Sequence, residues 1–382
     1  MDKKPIRIAQ IVGPVCEGGV ESCIMNYYLH IDRTKYQFDF FVENTSRIIN
    51  KDKIRKLGGR VIIIPHYTNV FKYMKVLRRL FEKGKYDIVH SNMNSLSVFT
   101  LKAAKKAGVP IRIAHSHSTS NKREHKRNFI KNLLRPFSRK YATHYFACSE
   151  YAGRWLFGNK AFDAGKVTII NNAIDLERFK FSPVWREEIR TQYDIDDKFV
   201  VGTIGRFVTQ KNQLFLIDIF NEYLKTNPDA ALMFVGDGPL HNKLRARVRR
   251  YALGDRVIFA GVHKHTERYL AAMDCFVFPS LYEGFGMTFL EAQVGGLKCI
   301  GSTMVPDEAV IKEFAERLPL NHRRTEWVEH ICATDDDTRA TAYEDFVGSK
   351  YDISVEAGKL TALYDEYLAA LPPKKKRKRK QK

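Results

Sequence analysis

The sequence has few of the features that mark metal-binding, disulfide-bonded or membrane-spanning proteins. Its six cysteines are scattered over 382 residues without a CxxC pair, a pattern that excludes a disulfide framework and a cysteine-rich zinc site. The twelve histidines form no HExxH or similar ligand spacing, so we expect no metal. No apolar run approaches the roughly 20 residues that a transmembrane helix requires.

Acidic residues and targeting signals are also scarce. The stretch MDKKPIRIAQIVG lacks the apolar core and cleavage site of a signal peptide, so we expect the protein to stay in the cytosol. Lysine and arginine outnumber aspartate and glutamate by 64 to 43, and eight of the 21 net positive charges lie in the last nine residues. The rest of the chain still carries +13, which favours a polyanionic partner: nucleic acid, an anionic membrane surface or a phosphorylated ligand.

Short apolar runs alternate with helix-like segments along both halves of the chain. Strand candidates follow one another at 6–12, 38–42, 60–65, 86–91, 110–118 and 144–149, and the run 166–174 closes the first half. The second half repeats this rhythm at 198–207, 230–239, 256–262, 275–280 and 297–302. Alternating strands and helices predict parallel sheets covered by helices on both faces.

The break between the two series predicts two domains. We place an N-terminal Rossmann-like domain at 1–183 and a C-terminal one at 184–354, with 184–195 as the link between them. The helix pattern at 355–371 is long enough to return to the first domain, and 372–382 is a basic tail. Ligands in such sheets collect at the carboxyl ends of the strands, so two facing domains would form one cleft.

The second half carries cations and acids at strand ends. Arg206 and Lys211 in GRFVTQKN follow the strand 198–205, either as solvated surface charges or as a clamp for a diphosphate. The turn in FVGDGP (234–239) either relieves a strained backbone or lets a ligand approach.

The stretch EGFGMTFLE places two acids around a glycine-rich turn. Thr288 and Glu291 match a capping box, a purely structural role for Glu291. Alternatively, the backbone N–H groups of the turn at a helix N-terminus bind phosphate or sugar oxygens. In that case Glu291 would accept hydrogen bonds from ribose hydroxyls, and Glu283 would bind the sugar.

Together GRFVTQKN, FVGDGP, VFPSLYEGFGMTFLEAQVGGLKCIGS and VTIINNAIDLERF resemble the retaining GT-B glycosyltransferases of family 4. Among these the chain looks most like the enzymes that build bacterial capsular or exopolysaccharide repeat units. The resemblance covers nearly the whole chain before the tail and implies a GT-B fold, two Rossmann-like domains facing across a cleft. It departs from the family at Ala173, where a glycine is usual, and in GMTFLEA after the turn.

The resemblance implies roles for individual residues. Arg206 and Lys211 would hold the diphosphate of a nucleotide sugar, Glu283 would contact the transferring sugar and Glu291 the ribose. The backbone from Gly284 through Phe285 and Gly286 to Met287 would bind sugar hydroxyls and phosphate. Charge separation dominates such a transfer, and preorganised cations stabilise the leaving group. Enzymes of this fold generally need no metal, so we expect no cofactor.

The first domain would supply the remaining groups. Gly18 and Gly19 in EGGVES match the family's early glycine-rich loop, although two glycines also suit a plain strand-to-helix turn. His115 and His117 in AHSHST lie on one face of a strand, and either is a candidate for the active-site histidine. His90 is a weaker candidate.

Two basic segments suggest a membrane partner. The segment 121–142 mixes cations with an apolar stripe, which is equally typical of a helix packed on the core and of a helix lying on an anionic membrane. The tail resembles a nuclear localisation signal, but we favour an electrostatic tether to the membrane. These segments, 122–140 and 374–382, predict peripheral association with the inner face of the cell membrane.

The sequence therefore predicts a retaining glycosyltransferase that uses a nucleotide sugar, and we favour a UDP-linked donor. Its acceptor would be a lipid-linked or growing polysaccharide in capsule or exopolysaccharide biosynthesis. Two alternatives stay open at this point. One is a sugar-nucleotide epimerase of the same fold, and the other is a polyanion- or nucleic-acid-binding protein that uses the basic surface.

Overall fold

The computed structural model describes residues 4–13, 19–46, 51–117 and 132–373. They form two compact α/β units. The first unit combines the described residues up to Asn171 with those from Ile353 onward, and the second unit is the intervening segment Asn172–Asp352. Each unit is built around one parallel sheet.

The sheet of the first unit has seven strands among the described residues, in the order β3-β2-β1-β4-β5-β6-β7. All of its paired strands run parallel. The strands are β1 (Ile6–Gly13), β2 (Tyr36–Glu43), β3 (Arg60–Ile64), β4 (Ile88–Ser91), β5 (Ile111–Ser116), β6 (His144–Ala147) and β7 (Val167–Ile169).

The sheet of the second unit has six strands within the described chain, in the order β10-β9-β8-β11-β12-β13, and is parallel throughout. The strand order reverses between β8 and β11. Such a switch point opens a crevice at the carboxyl ends of the strands. The strands are β8 (Phe199–Ile204), β9 (Ala230–Val235), β10 (Val257–Gly261), β11 (Cys275–Phe278), β12 (Lys298–Ser302) and β13 (Ala315–Leu318).

Helices connect most of these strands. In the described residues of the first unit they are α1 (Gly19–His30), α2 (Lys51–Lys56), α3 (Val70–Gly84), α4 (Ser97–Lys106), α5 (Glu150–Phe157), α6 (Asn159–Asp163) and, after the second unit, α15 (Ile353–Ala369). In the second unit they are α7 (Leu176–Phe179), α8 (Pro183–Gln192), α9 (Gln213–Tyr223), α10 (His241–Arg250), α11 (Thr266–Ala272), α12 (Met287–Val294), α13 (Arg324–Glu329) and α14 (Asp336–Thr341).

The strands are apolar because helices cover both faces of each sheet. Every residue of β9, a continuous apolar run of the kind that parallel sheets bury, is buried. Every residue of β2 is buried as well, including the polar side chains of Gln37, Asp39 and Glu43. The helices are amphipathic. In α3, for example, Tyr73, Leu77 and Phe81 recur every four residues and are buried, and the Asn69 side chain caps the helix by accepting from the Lys72 backbone N–H.

The units divide at Asn171 and Asn172, before the boundary at 183 and 184 that we expected. The reason is that Ile174 forms a bridge with Asp352, and α7 packs against α12, so both belong to the second unit. The expected link at 184–195 is largely α8, which packs on α11. The Arg190 guanidinium of α8 binds the carboxylate of Asp274 at 3.2 Å, which ties this helix to the second unit.

The last long helix, α15, is part of the first unit and packs on α1. The buried Glu356 carboxylate of α15 accepts hydrogen bonds from the Asn171 backbone N–H at 2.9 Å and side-chain amide at 3.0 Å. Over the described ranges, no helix combines the length and apolar character needed to cross a membrane.

Candidate active site

The second unit brings the predicted cations and the first predicted acid to neighbouring strands. Arg206 and Lys211 lie in the loop after β8, and Glu283 lies in the loop after β11. Since β8 and β11 are hydrogen-bonded neighbours at the switch point of the sheet, their carboxyl ends meet. The Leu281 backbone N–H donates to the Gln210 carbonyl at 2.7 Å, which joins the two loops directly.

Lys211 and Glu283 form an ion pair. The Lys211 Nζ atom lies 2.7 Å from Glu283 Oε1, and the side chains are only 20% and 6% exposed. The same Nζ atom lies 4.3 Å from the centre of the Phe278 ring, a cation–π contact. Lys211 and Glu283, for which the resemblance implied separate contacts with phosphate and sugar, are therefore partners of each other.

Arg206 differs from Lys211 because its cationic group is not paired with an acid among the described residues. Its backbone carbonyl accepts from Gln213 Nε2 at 2.8 Å, which fixes the loop, while the residue itself is exposed. Its guanidinium has no hydrogen-bond or ion-pair partner among the described residues. A planar, permanently charged fork held beside a switch point is well suited to bind phosphate oxygens.

The glycine-rich turn ends in an open helix N-terminus. Gly286 occupies the N-cap position of α12 with φ +93°, in the left-handed region that glycine adopts without strain. No side chain of the described residues caps this helix. Phe285 and Met287 are buried in the core and Gly284 is exposed, so the turn presents backbone groups rather than side chains.

The capping box, which was the structural alternative for Thr288 and Glu291, does not form. Because Gly286 takes the N-cap position, Thr288 already lies inside the helix, and its buried hydroxyl has no hydrogen-bond partner among the described residues. The first backbone N–H groups of α12 are thus left without a side-chain acceptor from their own helix. An uncapped helix N-terminus of this kind is suited to an anionic ligand.

Glu291 is a half-buried carboxylate without a hydrogen-bond or ion-pair partner in the described part of the chain. Burial raises its pKa to about 7; the charge of Arg178 and, more weakly, that of Lys211 oppose this rise, while Glu267 adds to it. A carboxylate that no described residue satisfies is ready to accept hydrogen bonds from a ligand.

Arg178 and Glu267 are site neighbours that the sequence analysis missed. The Arg178 Nε atom donates to Glu267 Oε2 at 2.8 Å, and His265 Nδ1 lies 2.7 Å from Glu267 Oε1. Glu267 is buried and fully engaged, in contrast to Glu291. The two partners are 89 residues apart in the chain, so no local pattern could have paired them.

The glycines of FVGDGP have a packing role. A Cβ atom on Gly236 would lie 2.2 Å from the Gly205 carbonyl oxygen, and one on Gly238 would lie 2.6 Å from that of Phe207. The glycines therefore allow the loop after β9 to lie against the loop that carries Arg206. The Asp237 carboxylate accepts from the Gly238 N–H and from His241 Nδ1, both at 2.8 Å.

The predicted histidines form one buried cluster in the first unit. The rings of His115 and His117 lie 3.9 Å apart between centres, and His90 Nε2 is 3.0 Å from His115 Nδ1. All three rings are nearly inaccessible to solvent and line one small cavity. Burial lowers the pKa of His90 and of His117 to about 3 and that of His115 well below its ordinary value, so all three are neutral.

The glycine-rich loop of the first unit is only partly described. Gly19 is the exposed first residue of α1, and Gly18 lies outside the described residues. Most of the basic segment 122–140 and the whole tail 374–382 also lie outside them. Within the ranges that are described, no three His, Cys, Asp or Glu side chains cluster as metal ligands would.

Two family models match the chain, one in each half. "Glycosyltransferase Family 4" matches residues 17–178, and "Glycosyl transferases group 1" matches residues 198–335. The putative glycosyltransferase EpsF of Bacillus subtilis (strain 168) is 30% identical over 375 residues, which cover 96% of this chain and 98% of that protein.

Two further proteins are informative. A UDP-Gal:alpha-D-GlcNAc-diphosphoundecaprenol alpha-1,3-galactosyltransferase of Escherichia coli is 30% identical over 244 residues, 62% of each chain. The crystal structure of Anabaena Alr3699/HepE in complex with UDP and glucose superposes with a TM-score of 0.78 at 18% identity. That match covers 94% of this chain and all of the other, and it demonstrates a shared fold.

Proposed function

The chain belongs to glycosyltransferase family 4 and has the GT-B fold, and from this premise we propose that it transfers a sugar from a UDP-linked donor, with retention of configuration, to a lipid-linked or growing polysaccharide acceptor. Family membership favours a glycosyltransferase over the epimerase and the polyanion-binding protein that the sequence left open. The proposal goes beyond family membership in the donor base, the stereochemistry and the acceptor.

One observation carries the assignment of the donor site. At a single edge of the second sheet the protein leaves three groups without partners among the described residues: the Arg206 guanidinium, the N-terminus of α12 and the Glu291 carboxylate. Two of them suit anions and the third suits hydroxyl donors. A nucleoside diphosphate has both kinds of group, phosphate oxygens on one side and ribose hydroxyls on the other.

We assign the residues accordingly. Arg206, Lys211 and the backbone N–H groups at the start of α12 hold the diphosphate, and Glu291 accepts from the ribose. Glu283 contacts the transferring sugar. Since Glu283 is paired with Lys211 before ligand binds, phosphate oxygens compete for the Lys211 ammonium and weaken its hold on the carboxylate. Donor binding thereby releases Glu283 toward the sugar.

Catalysis in this arrangement is electrostatic. Breaking the bond between the anomeric carbon and the diphosphate moves negative charge onto the leaving group and positive charge onto the sugar. Preorganised cations and backbone dipoles stabilise the negative charge on the leaving group, and the Glu283 carboxylate faces the positive charge on the sugar. Loss of one such leaving-group contact costs about 3–4 kcal/mol of transition-state stabilisation. Arg206 and Lys211 supply positive charge that many transferases take from a metal, so we propose a metal-independent reaction that chelators leave unchanged.

The acceptor side of the proposal rests on the first unit. His117, the last described residue after β5, and its neighbour His115 are the candidates for contact near the reacting bond. The Escherichia coli relative is named for an acceptor on diphosphoundecaprenol, a membrane lipid. A lipid-linked acceptor in assembly of a capsule or exopolysaccharide would place the enzyme at the inner face of the cell membrane.

A basic surface in the described residues supports membrane association. The exposed side of α3 carries Lys72, Lys75, Arg78 and Arg79, and Phe71 at its start is 90% exposed. An apolar anchor beside several cations suits an anionic bilayer, where each basic residue contributes about 1 kcal/mol. We propose that this face, together with the segment 122–140 and the tail, holds the protein at the membrane.

Vesicle sedimentation tests the membrane proposal. Phe71→Ser is expected to weaken binding to vesicles that contain anionic lipid, while Tyr151→Ser, which removes another exposed aromatic residue, is expected to leave it unchanged. Equal binding by the two variants would remove α3 from the proposed surface.

Thermal-shift and transfer assays test the donor site. We expect UDP and one or more UDP-sugars to raise the melting temperature, because a ligand that binds only the folded state stabilises it. Arg206→Ala and Lys211→Ala should abolish this shift and lower the transfer rate about 100-fold or more. Arg249→Ala and Lys243→Ala, at exposed positions of α10 in the same unit, are the matched controls. Parent-like shifts in both site variants would refute the assignment.

Product analysis tests the reaction. We expect a new glycosidic bond with the same anomeric configuration as the donor, which the proton coupling at the anomeric carbon reports. A product of inverted configuration would contradict retention. An isomerised donor without transfer would instead indicate epimerase chemistry.

A further inference from the structure

A chain of hydrogen bonds in the first unit connects the histidine cluster to α15. Its members are Gln10 of β1, His90 of β4, His115 of β5 and Tyr364 of α15, together with Asn92 and His117, which directly follow β4 and β5. All of them are at most 5% exposed. Because each amide and hydroxyl has a fixed set of donors and acceptors, the chain can be followed proton by proton.

One branch runs from Tyr364 to His115. The Gln10 Nε2 amide donates to the Tyr364 hydroxyl oxygen at 3.2 Å, so the hydroxyl proton is free to point to His90 Nδ1, 2.8 Å away. A neutral His90 that accepts at Nδ1 carries its proton on Nε2 and donates it to His115 Nδ1 at 3.0 Å. His115 is then left with its own proton on Nε2.

The other branch runs from Gln10 to His117. The Gln10 Oε1 atom accepts from the Asn92 amide at 2.9 Å, which directs Asn92 Oδ1 toward His117. This oxygen lies 2.9 Å from His117 Nε2 and can only accept, so His117 carries its proton there. Its Nδ1 atom is therefore a bare acceptor.

The two branches end in a complementary pair. His115 Nε2 and His117 Nδ1 are buried and have no hydrogen-bond partner among the described residues, and the first is a donor while the second is an acceptor. Both rings line the small cavity that Gln10, His90 and Asn92 also line. A hydroxyl group, which accepts one hydrogen bond and donates another, matches such a pair. The low pKa values of all three rings keep them neutral at physiological pH, as the fixed proton positions require.

We propose that Tyr364 is a positioning residue: through Gln10 and His90 it fixes the tautomers of the cluster so that His117 presents a bare Nδ1 acceptor beside the Nε2–H donor of His115. The catalytic consequence rests on the proposed function, in which this cluster meets a substrate hydroxyl. Among the described side chains, the hydroxyl of Tyr364 alone both accepts from Gln10 and donates to His90.

The proton positions are tested directly by NMR on the full-length protein labelled with ¹⁵N-histidine. The three ring systems are assigned with His90→Asn, His115→Asn and His117→Asn variants. We expect His90 and His115 to be bare at Nδ1 and protonated at Nε2, and His117 likewise, at neutral pH. A protonated Nδ1 on His117 or on His90 in the parent protein would overturn the proposal without any variant of Tyr364.

The role of Tyr364 is tested with Tyr364→Phe, and Tyr367→Phe on the same helix is the matched control. Tyr367 stacks on His144 and lies outside the chain of hydrogen bonds. In Tyr364→Phe we expect a second tautomer of His115 or His117 to appear. We also expect the transfer rate constant to fall about 10- to 100-fold while the KM for donor changes less than twofold. Tyr367→Phe should change neither.

The outcomes separate the two proposals. Unchanged tautomers in Tyr364→Phe would overturn the role of Tyr364, whatever the activity. Altered tautomers with a parent-like rate would confirm that Tyr364 fixes the protons but would refute a part for the cluster in transfer. Altered tautomers with a reduced rate and an unchanged KM would support both.

Discussion

Glu283 and Glu291 show how much the surroundings of a residue determine its use. Glu283 has a lysine at 2.7 Å, whereas Glu291, eight positions later, is half-buried with no partner in the described chain. Their spacing in the sequence indicated a shared site but not this difference. An engaged acid can be exchanged when ligand arrives, and an unengaged one is already prepared to accept hydrogen bonds.

Glu291 should make UDP binding depend on pH. Its pKa of about 7 means that the ionised fraction rises roughly tenfold between pH 6 and pH 8. Because ribose hydroxyls donate to the ionised form, we expect the parent protein to bind UDP up to about tenfold more tightly at pH 8 than at pH 6. Calorimetric titration measures this ratio.

Glu291→Gln serves as the control for this prediction, since it removes the titrating group and leaves the ionisation of UDP unchanged. We expect weaker binding and a smaller pH ratio. The ligand-free parent should also lose stability as the pH rises from 4.5 to about 7, because the native state keeps a proton that the unfolded chain releases. An equal pH ratio in parent and variant would contradict the assignment of Glu291.

The Lys211–Glu283 pair should behave as one unit in stability measurements. Lys211→Met leaves a carboxylate that is 6% exposed without its partner, and we expect a loss of about 2–3 kcal/mol in the free energy of unfolding. Glu283→Gln should cost less, because Lys211 is 20% exposed and reaches solvent more easily. The double variant should be more stable than the sum predicts by at least about 1 kcal/mol in urea denaturation. Additive losses would show that the pair is not coupled.

The sequence predicted the charged residues of this site but not how they are partnered. Arg206, Lys211 and Glu283 were recognisable because short motifs place them at strand ends. The link from Arg178 to Glu267 joins segments 89 residues apart, and the burial of Glu291 depends on helices around it. Contacts of this kind arise from the packing of the whole unit, which local spacing does not encode.

At the scale of elements, the apolar runs predicted the positions of twelve strands, although several of these strands are shorter than their runs, most clearly β7 (Val167–Ile169) within 166–174. The exception is β13, with the sequence AERL, which was not predicted. It has no β-branched residue, and it lies at the edge of its sheet, where pairing with β12 alone determines its structure. The capping-box alternative would have placed the N-cap of α12 at Thr288, whereas a glycine at φ +93° sets it two residues earlier, at Gly286.

Gly286→Ala tests the geometry of the turn before α12. A Cβ atom there would lie 3.3 Å from the Phe278 ring, and the backbone would stay in a region that alanine disfavours by about 1–2 kcal/mol. We expect a lower melting temperature and loss of the UDP-induced shift. Gly348→Ala shares the positive φ, at +74°, but meets no atom within 4 Å. This control should be destabilised yet retain the shift; loss of the shift in both variants would point to general destabilisation.

At the scale of the whole molecule, the excess of positive charge lies outside the second unit and is densest in the tail. The second unit, Asn172–Asp352, has 23 lysine and arginine residues against 28 aspartate and glutamate residues. A chain that ends at Leu371 tests how much of the polyanion binding belongs to the tail. We expect its donor-induced thermal shift and its transfer to a soluble acceptor analogue to equal those of the parent. Binding to anionic vesicles should weaken and become less sensitive to salt, because eight charges are removed. Loss of transfer to the soluble analogue would contradict an accessory role for the tail.

The comparisons confirm the resemblance to family 4 and the GT-B fold. The sequence could predict both because the motifs that carry them lie in contiguous stretches of chain. The residue at which the two units divide was harder to predict from the sequence. Residues 172–182 have no sequence signal that separates them from the first unit, and the contact of Ile174 with Asp352 assigns them to the second.

The return of α15 to the first unit also determines the order in which the protein can be completed during synthesis. The second unit is one continuous segment, so it can finish folding as soon as Asp352 has left the ribosome. The first unit begins earlier but must wait for Tyr364 and Glu356, which are synthesised after the whole of the second unit. The unit that begins first is therefore the last to mature, and its histidine cluster acquires its full set of hydrogen bonds only after the second unit has been made.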